Sequence, residues 1–220
     1  MDRRSKEGVG AISTDAIFFD FDGVLVESTD FKIHAFEELY RDVGPDNLAR
    51  VMAYMRVNEG ISRLDKIRHC HRTILGIELD DQEVAGWGER FRALVEDGVV
   101  SCNWVPGAAE FLERYHRELP LFVVTGTPQE EILRILTRRK MSHYFVSVHG
   151  SPPRKPPIVR DLLDRHGFSP ERTLFVGDAR ADYEAAHANG VRFVGRLLPG
   201  GSNGFPSDVP VISDLTSLTL

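Results

Sequence analysis

Long apolar runs are missing from this 220-residue chain. None approaches the roughly 18 consecutive apolar residues of a membrane span, so no membrane association is expected. Cysteine is scarce too. Cys70 and Cys102 are the only two, too few for a disulfide framework and too far apart for metal-ligand spacing, and a reduced, cytoplasmic setting is expected. An excess of basic residues is also lacking. Against 33 Asp and Glu stand 27 Lys and Arg, for a net charge of −6, which argues against the basic face of a nucleic-acid binder. The opening residues Met1 to Gly8 are charged and lead into no apolar segment, unlike a secretory signal. Residues 1–13 read as a disordered tail. His69-Cys70-His71 has the look of a metal cluster, but neighbours on a helix point about 100° apart and cannot converge on one ion.

What is present starts at Ile17-Phe18-Phe19-Asp20-Phe21-Asp22-Gly23-Val24-Leu25-Val26. Its first half is the apolar, aromatic run of a strand buried on both faces. Asp20 and Asp22 lie two residues apart at the strand's end, where both side chains can address one site. Two acids beside so much apolar surface are costly unless a cation or a substrate compensates them. Gly23 lets the backbone turn or approach a ligand closely.

From Glu27 to about Asn103 the pattern is helical throughout. Four apolar stripes run through Phe31-Ala35-Leu39-Tyr40, Leu48-Val51-Met52-Met55, Leu64-Ile67-His71-Ile74-Leu75 and Val84-Trp87-Phe91-Leu94-Val95. Ser62 with Asp65 opens the third and Asp80 with Glu83 the fourth. Thereafter strands and helices alternate. Strands are expected at Leu121–Thr125, Tyr144–Val148, Thr173–Val176 and Val191–Val194. Helices are expected after Pro106-Gly107, after the Thr127-Pro128-Glu130 start, over Pro157–His166 and over Asp182–Asn189. Strict alternation predicts an α/β fold, a doubly wound parallel sheet with helices on both faces. The tail, rich in Gly and Pro, reads as loop-rich. The expected division is a core of 14–26 and 104–220 with a helical domain of 27–103 inserted into it.

Ligands of such sheets bind beyond the carboxyl ends of the strands. That rim collects Asp20 and Asp22, then Thr125-Gly126, then Lys155, then Gly177-Asp178 with Asp182 one turn on. Acids, one hydroxyl and one lysine suit phosphoryl transfer. Mg²⁺ takes one or two carboxylates plus water and phosphate oxygens, which Asp20 and Asp178 can supply. A carboxylate can attack phosphorus, and an acid two residues away can serve the leaving oxygen and then the attacking water. Thr125, the Gly126 amide and Lys155 would hold the phosphoryl oxygens. Taken singly, each has an ordinary alternative: Thr125 as a β-branched strand residue, Lys155 as a solvated lysine, Asp178 as a helix cap, Asp182 as a first-turn acid.

Asp20-Phe21-Asp22-Gly23-Val24, Thr125, Lys155 and Gly177-Asp178-Ala179-Arg180-Ala181-Asp182 resemble, in order, the four motifs of the haloacid dehalogenase superfamily. The resemblance runs from Ala16 to about Val194. The inserted helices resemble the cap of the branch that contains phosphoglycolate phosphatase and β-phosphoglucomutase. It implies a Rossmann-like core, Asp20 as nucleophile, Asp22 as general acid/base, and Thr125, Gly126 and Lys155 around the phosphoryl group. It also implies Mg²⁺ on Asp20, the Asp22 carbonyl and Asp178, with Asp182 in support. Members that cleave carbon–halogen bonds lack the second acid, so Asp22 favours phosphate chemistry. Glu27 departs from the family, whose members on this branch often carry Asp there.

The expected activity is a phosphatase acting on a small phosphorylated metabolite, a sugar phosphate or a phosphoglycolate-like compound, with the protein a monomer or homodimer. The alternatives are a phosphomutase, a phosphorylatable receiver-like module and a catalytically inactive binding module. Arg63, in the loop around Gly60, is the expected cap contact to the leaving group. Lys66, Arg68 and Arg72 read as surface charges.

Overall fold

The computed structural model describes residues 13–197 and 204–220; the expected tail of 1–13 falls almost wholly outside them. The first strand, β1 (Ala16–Phe19), is completely buried, as its four apolar side chains require of a strand covered on both faces. It ends one residue before Asp20, so both acids lie beyond the sheet edge.

Four helices follow: α1 (Thr29–Leu39), α2 (Pro45–Val57), α3 (Arg63–His69) and α4 (Asp81–Ser101). α4 begins with the expected capping box: the Glu83 amide donates to the Asp80 side chain at 2.8 Å, and the Asp80 amide to Glu83 at 2.9 Å. Ser62 precedes α3 but makes no side-chain cap bond. The helix expected through Leu75 changes at Cys70–Leu75 into a π-helical turn. There the three suspect residues part. Cys70 enters the core, His71 meets Tyr40 and Trp87, and His69 stacks on Tyr54.

The remainder alternates: α5 (Ala108–Tyr115), β2 (Leu121–Pro128), α6 (Gln129–Arg138), β3 (Ser147–Ser151), α7 (Lys155–His166), β4 (Thr173–Gly177), α8 (Arg180–His187), β5 (Arg192–Arg196) and a short β6 (Val211–Ile212). The sheet order is β3-β2-β1-β4-β5-β6 and every pairing is parallel. The chain winds first to one side of β1 and then to the other, so the carboxyl ends of β1 and β4 flank the crevice where the winding reverses. Phe18 points to one face, edge-on to Phe122 and Phe175 and under α7 and α8. Ile17 and Phe19 point to the other, toward Phe111, Ile132 and Ile135.

Two expectations need correction. Residues 144–146 are not strand: Ser142–Tyr144 form a 3₁₀ turn and the strand begins at Ser147. Thr127 does not cap α6. β2 continues, with a register shift, through Pro128, and the Thr127 hydroxyl is used elsewhere. The tail is loop-rich as expected, with only the two-residue β6 pairing with Gly195 and Arg196.

The inserted helices share one hydrophobic cluster with this face of the sheet, from Phe19 and Phe111 through Leu25 to Tyr40, Met55 and Phe91. Polar ties reinforce it along α6. Glu96 of α4 meets Arg134 and Arg138 at 3.3 and 3.4 Å. Arg139 donates to the carbonyls of Val99, Val100 and Cys102 at 2.8–2.9 Å, where the end of α4 concentrates unpaired acceptors and negative dipole.

Candidate active site

Asp20 leaves β1 with one carboxylate oxygen accepting the Phe21 amide at 2.7 Å. Its other oxygen lies 3.0 Å from Lys155 Nζ. Lys155 opens α7, on the far side of the sheet order, and is buried; its ammonium is shared with Asp182 Oδ1 at 2.5 Å. Asp182 is in the first turn of α8, fully buried, and its second oxygen accepts the Ala179 amide at 3.0 Å. Asp178 follows β4 directly. Its carboxylate lies over Gly23, where a Cβ would sit 2.0 Å from Asp178 Oδ2; with φ of +74° as well, only glycine fits there.

Oxygens of Asp20, Asp178 and Asp182 all lie within 4.8 Å of one another. One buried lysine cannot neutralise three carboxyls, two of them buried and that of Asp178 half-buried. Burial, with Asp20 and Asp182 beside it, pushes the Asp178 carboxyl well above the usual carboxylate range. Burial likewise pushes Asp182 up to about 7, against the pull of Lys155. Lys155 rises above the ordinary lysine value because Asp182 and Asp20 outweigh its own burial. Surplus negative charge on hard oxygens is what a divalent cation of the Mg²⁺ type relieves, so the residues present fit that ion.

Asp22 lines the same cavity as Asp20 but has its own set of partners. Ser28 Oγ donates to its Oδ1 at 2.6 Å, Thr127 Oγ1 to its Oδ2 at 2.9 Å, and Lys32 Nζ lies 2.5 Å from Oδ2. Burial would raise this carboxyl, but Lys32, Ser28 and Thr127 together hold it below the usual value. Thr125 is buried, with its hydroxyl accepting the Thr127 amide at 3.2 Å.

The loop between α2 and α3 comes down onto Thr125-Gly126. A Cβ on Gly126 would lie 2.8 Å from the Gly60 carbonyl oxygen, and one on Gly60 would lie 2.6 Å from Ala179 Cβ. This contact divides the cleft. An outer cavity of about 530 Å³ opens past Tyr54, His69, Arg72, Arg154 and Lys155. An inner one of about 80 Å³ is walled by Asp20, Asp22, Lys32, Phe36, Lys66 and Phe91, with Arg63, Asp178, Thr125 and Gly126 also on it.

Of the residues expected from sequence, Asp20, Thr125, Gly126, Lys155, Asp178 and Asp182 meet at one rim, with Asp22 beside them. Arg63 reaches the inner wall, but its guanidinium is engaged by Glu131 of α6 in two bonds of 3.0 and 2.5 Å. Lys66 is not a surface charge. It is 8% exposed and lines the inner cavity, because it lies three residues beyond Arg63 and next to Ile67, on the face of α3 that turns inward. Arg68 and Arg72 do lie at the surface. Ser28, Lys32 and Thr127 carried no distinguishing sequence signal, since a serine before a helix and a threonine before a proline suggest caps. Glu27 pairs with Arg196 of β5 at 2.6 Å, and Arg196 also donates to the Gly23 carbonyl at 2.9 Å. The departure at Glu27 therefore anchors the turn that follows Asp22.

The fold and this rim define a doubly wound α/β protein whose chemistry rests on carboxylates. A profile of haloacid dehalogenase-like hydrolases matches residues 17–196, and the chain belongs to that family. It is 28% identical over 208 residues to the phosphoglycolate phosphatase of Aliivibrio fischeri, covering 90% of this chain and 91% of that one. It is 29% identical over 214 residues to that of Pseudomonas fluorescens Pf-5, covering 92% and 77%. Among solved structures, a predicted phosphoglycolate phosphatase from Haemophilus somnus superposes with a TM-score of 0.69 at 26% identity, over 92% and 95% of the two chains. A protein provisionally assigned as a β-phosphoglucomutase, from Bacteroides vulgatus, shares the fold with a TM-score of 0.67 at 22% identity, over 84% and 76%.

Proposed function

We propose that the protein is a Mg²⁺-dependent phosphatase that hydrolyses a small phosphorylated metabolite of the phosphoglycolate type through an aspartyl-phosphate on Asp20. The observation that carries this reading is Lys155 bridging Asp20 and Asp182 at the rim, with Thr125 and Asp178 alongside. The Asp20 carboxylate attacks phosphorus and the bond to the leaving oxygen breaks; Asp22, protonated once the bound phosphate's negative charge offsets the Lys32 ammonium that otherwise keeps it ionised, gives that oxygen its proton. Asp22 then takes a proton from water as its oxygen attacks the aspartyl-phosphate, releasing inorganic phosphate and restoring Asp20. Lys155, the Thr125 hydroxyl and the Gly126 amide hold the equatorial oxygens. Ser28 and Thr127 fix Asp22, and Asp182 fixes Lys155. Asp20, Asp178 and the Asp22 carbonyl would hold Mg²⁺, which when bound offsets the charge of the phosphoryl oxygens beside that of Asp20.

The inserted helices 27–103 act as a cap whose 60–61 loop closes over Thr125-Gly126 and keeps bulk water from the phosphoryl group. The relatives' name, phosphoglycolate phosphatase, supports the substrate type. The test is phosphate release from phosphoglycolate, sugar phosphates and nucleotides, with Mg²⁺, with EDTA and with Asp20→Asn. Release that needs Mg²⁺ and falls by at least about 10³-fold in the variant is expected. Release from no compound would overturn the reading and turn the assay toward an isomerised product.

A further inference from the structure

Three cationic side chains from the inserted helices line the inner cavity: Lys32, Arg63 and Lys66. Two are already neutralised. Lys32 pairs with Asp22 at 2.5 Å and Arg63 with Glu131 at 2.5 Å. Lys66 is different. Among the described residues no carboxylate lies within ion-pair distance of its ammonium, which sits 5.6 Å from the centre of the Phe36 ring. An ammonium withdrawn from water without an anion is costly to hold. Burial accordingly brings Lys66 down to about 8, with Glu59 resisting the fall. Glu59 is on the same cavity wall, but it makes no ion pair with Lys66; a buried cation left unpaired on the wall of a cavity that opens at the candidate nucleophile is a receptor for an anion brought by the substrate.

We infer that Lys66 is the residue that selects the leaving group, by pairing with a carboxylate on it. This rests on the phosphatase reading above. The phosphoryl group is placed by Asp20, Thr125 and Lys155; of the two cavities that meet at Thr125-Gly126, the inner one carries Asp22, the group that serves the leaving oxygen, so the leaving group extends past Asp22 into it. That cavity, about 80 Å³, is on the scale of a few non-hydrogen atoms. Phe36 and Phe91 provide an apolar wall for a short carbon chain and Lys66 provides one positive charge at its end. The substrate class is thus the phosphate ester of a short hydroxy acid, bearing one carboxylate rather than a second phosphate or an uncharged sugar.

The experiment compares kcat/KM for 2-phosphoglycolate and for 2-phosphoglycolamide, which has the same shape and no carboxylate charge. Wild type, Lys66→Met and Lys66→Gln are assayed with Mg²⁺, each checked for folding by its melting curve; the Gln variant serves if the Met variant does not fold. Wild type is expected to favour the carboxylate by at least about tenfold, the range of a charge-assisted contact. Both variants are expected to bring that ratio toward one, chiefly through a higher KM for phosphoglycolate. A ratio that survives in the variants overturns the assignment, as does an equal loss on both compounds. Wild-type turnover of other phosphate esters but not phosphoglycolate overturns it too, and leaves the phosphatase reading standing. Wild-type turnover of no ester at all overturns the phosphatase reading and the assignment with it.

Discussion

At the scale of single residues, Lys66 and Asp22 show opposite solutions to the same cost. Asp22 is surrounded by one ammonium and two hydroxyls, so its charge is compensated within the protein. Lys66 is left with an aromatic face and, across the cavity wall it shares, the unpaired Glu59, a state that favours binding over stability. Its folded-state value of about 8 lies below the 10.5 of a free lysine. Above pH 10.5 the side chain is neutral whether the protein is folded or not, and costs nothing. As pH falls from 10.5 to 8 the unfolded chain takes up the proton first, and a penalty accumulates that is complete below 8. Lys66→Met is therefore expected to be more stable than wild type at pH 7, by on the order of 2 kcal/mol. The margin should shrink as pH rises from 8 to 10.5. Urea unfolding at both ends of that range checks it; a margin that did not change with pH would place the effect in packing rather than in charge.

At the scale of elements, the inserted helices are held to the sheet domain chiefly along α6. Arg63 and Glu131 are both nearly inaccessible, and such a pair contributes little net stability while being costly to break on one side. Arg63→Met leaves the Glu131 carboxylate buried and alone, and is expected to cost about 3–5 kcal/mol in chemical denaturation. The double variant with Glu131→Met should recover most of that loss. If the single and double variants were equally unstable, the pair would be acting through packing alone. α3 also shows why local sequence takes Lys66 for a surface charge. Arg63, Lys66 and Ile67 share a helical face, but only the side on which α3 packs decides whether that face is wall or surface.

At the scale of the molecule, the rim concentrates negative charge that the fold alone does not balance. Asp178 and Asp182 have values raised above those of free carboxyls. A raised carboxyl stabilises the folded state fully below its unfolded value near 4, and that contribution is lost as pH rises through the folded value, about 7 for Asp182. The metal-free protein is therefore expected to lose stability between pH 4 and pH 7. Mg²⁺ should restore it, because the cation competes with those protons and binds the folded state. In thermal melts the rise in Tm on adding Mg²⁺ should be larger at pH 7.5 than at pH 5, and EDTA should reverse it. An equal shift at both pH values would separate the ion from these acids.

The sequence by itself determined the order of elements, because hydrophobic periodicity and turn residues are local properties. The buried run at Ile17-Phe18-Phe19, the four helical stripes and the alternation after Pro106 were legible in it. It also brought Asp20, Thr125, Lys155, Asp178 and Asp182 to one rim, since parallel strands end on the same side: Asp20 and Asp178 directly follow strands there, Thr125 lies in the last half of one, and Lys155 and Asp182 are in the first turns of helices. Tertiary structure decided what no local pattern encodes: which charges are neutralised and which are not. Thr127 turned from a cap into a donor to Asp22 because β2 ran past it. Arg63 met its partner 68 residues away on α6. Lys66 became a cavity wall because α3 lies against Phe36 and Phe91. Burial and charge compensation depend on contacts between distant segments, and only the packed chain sets them.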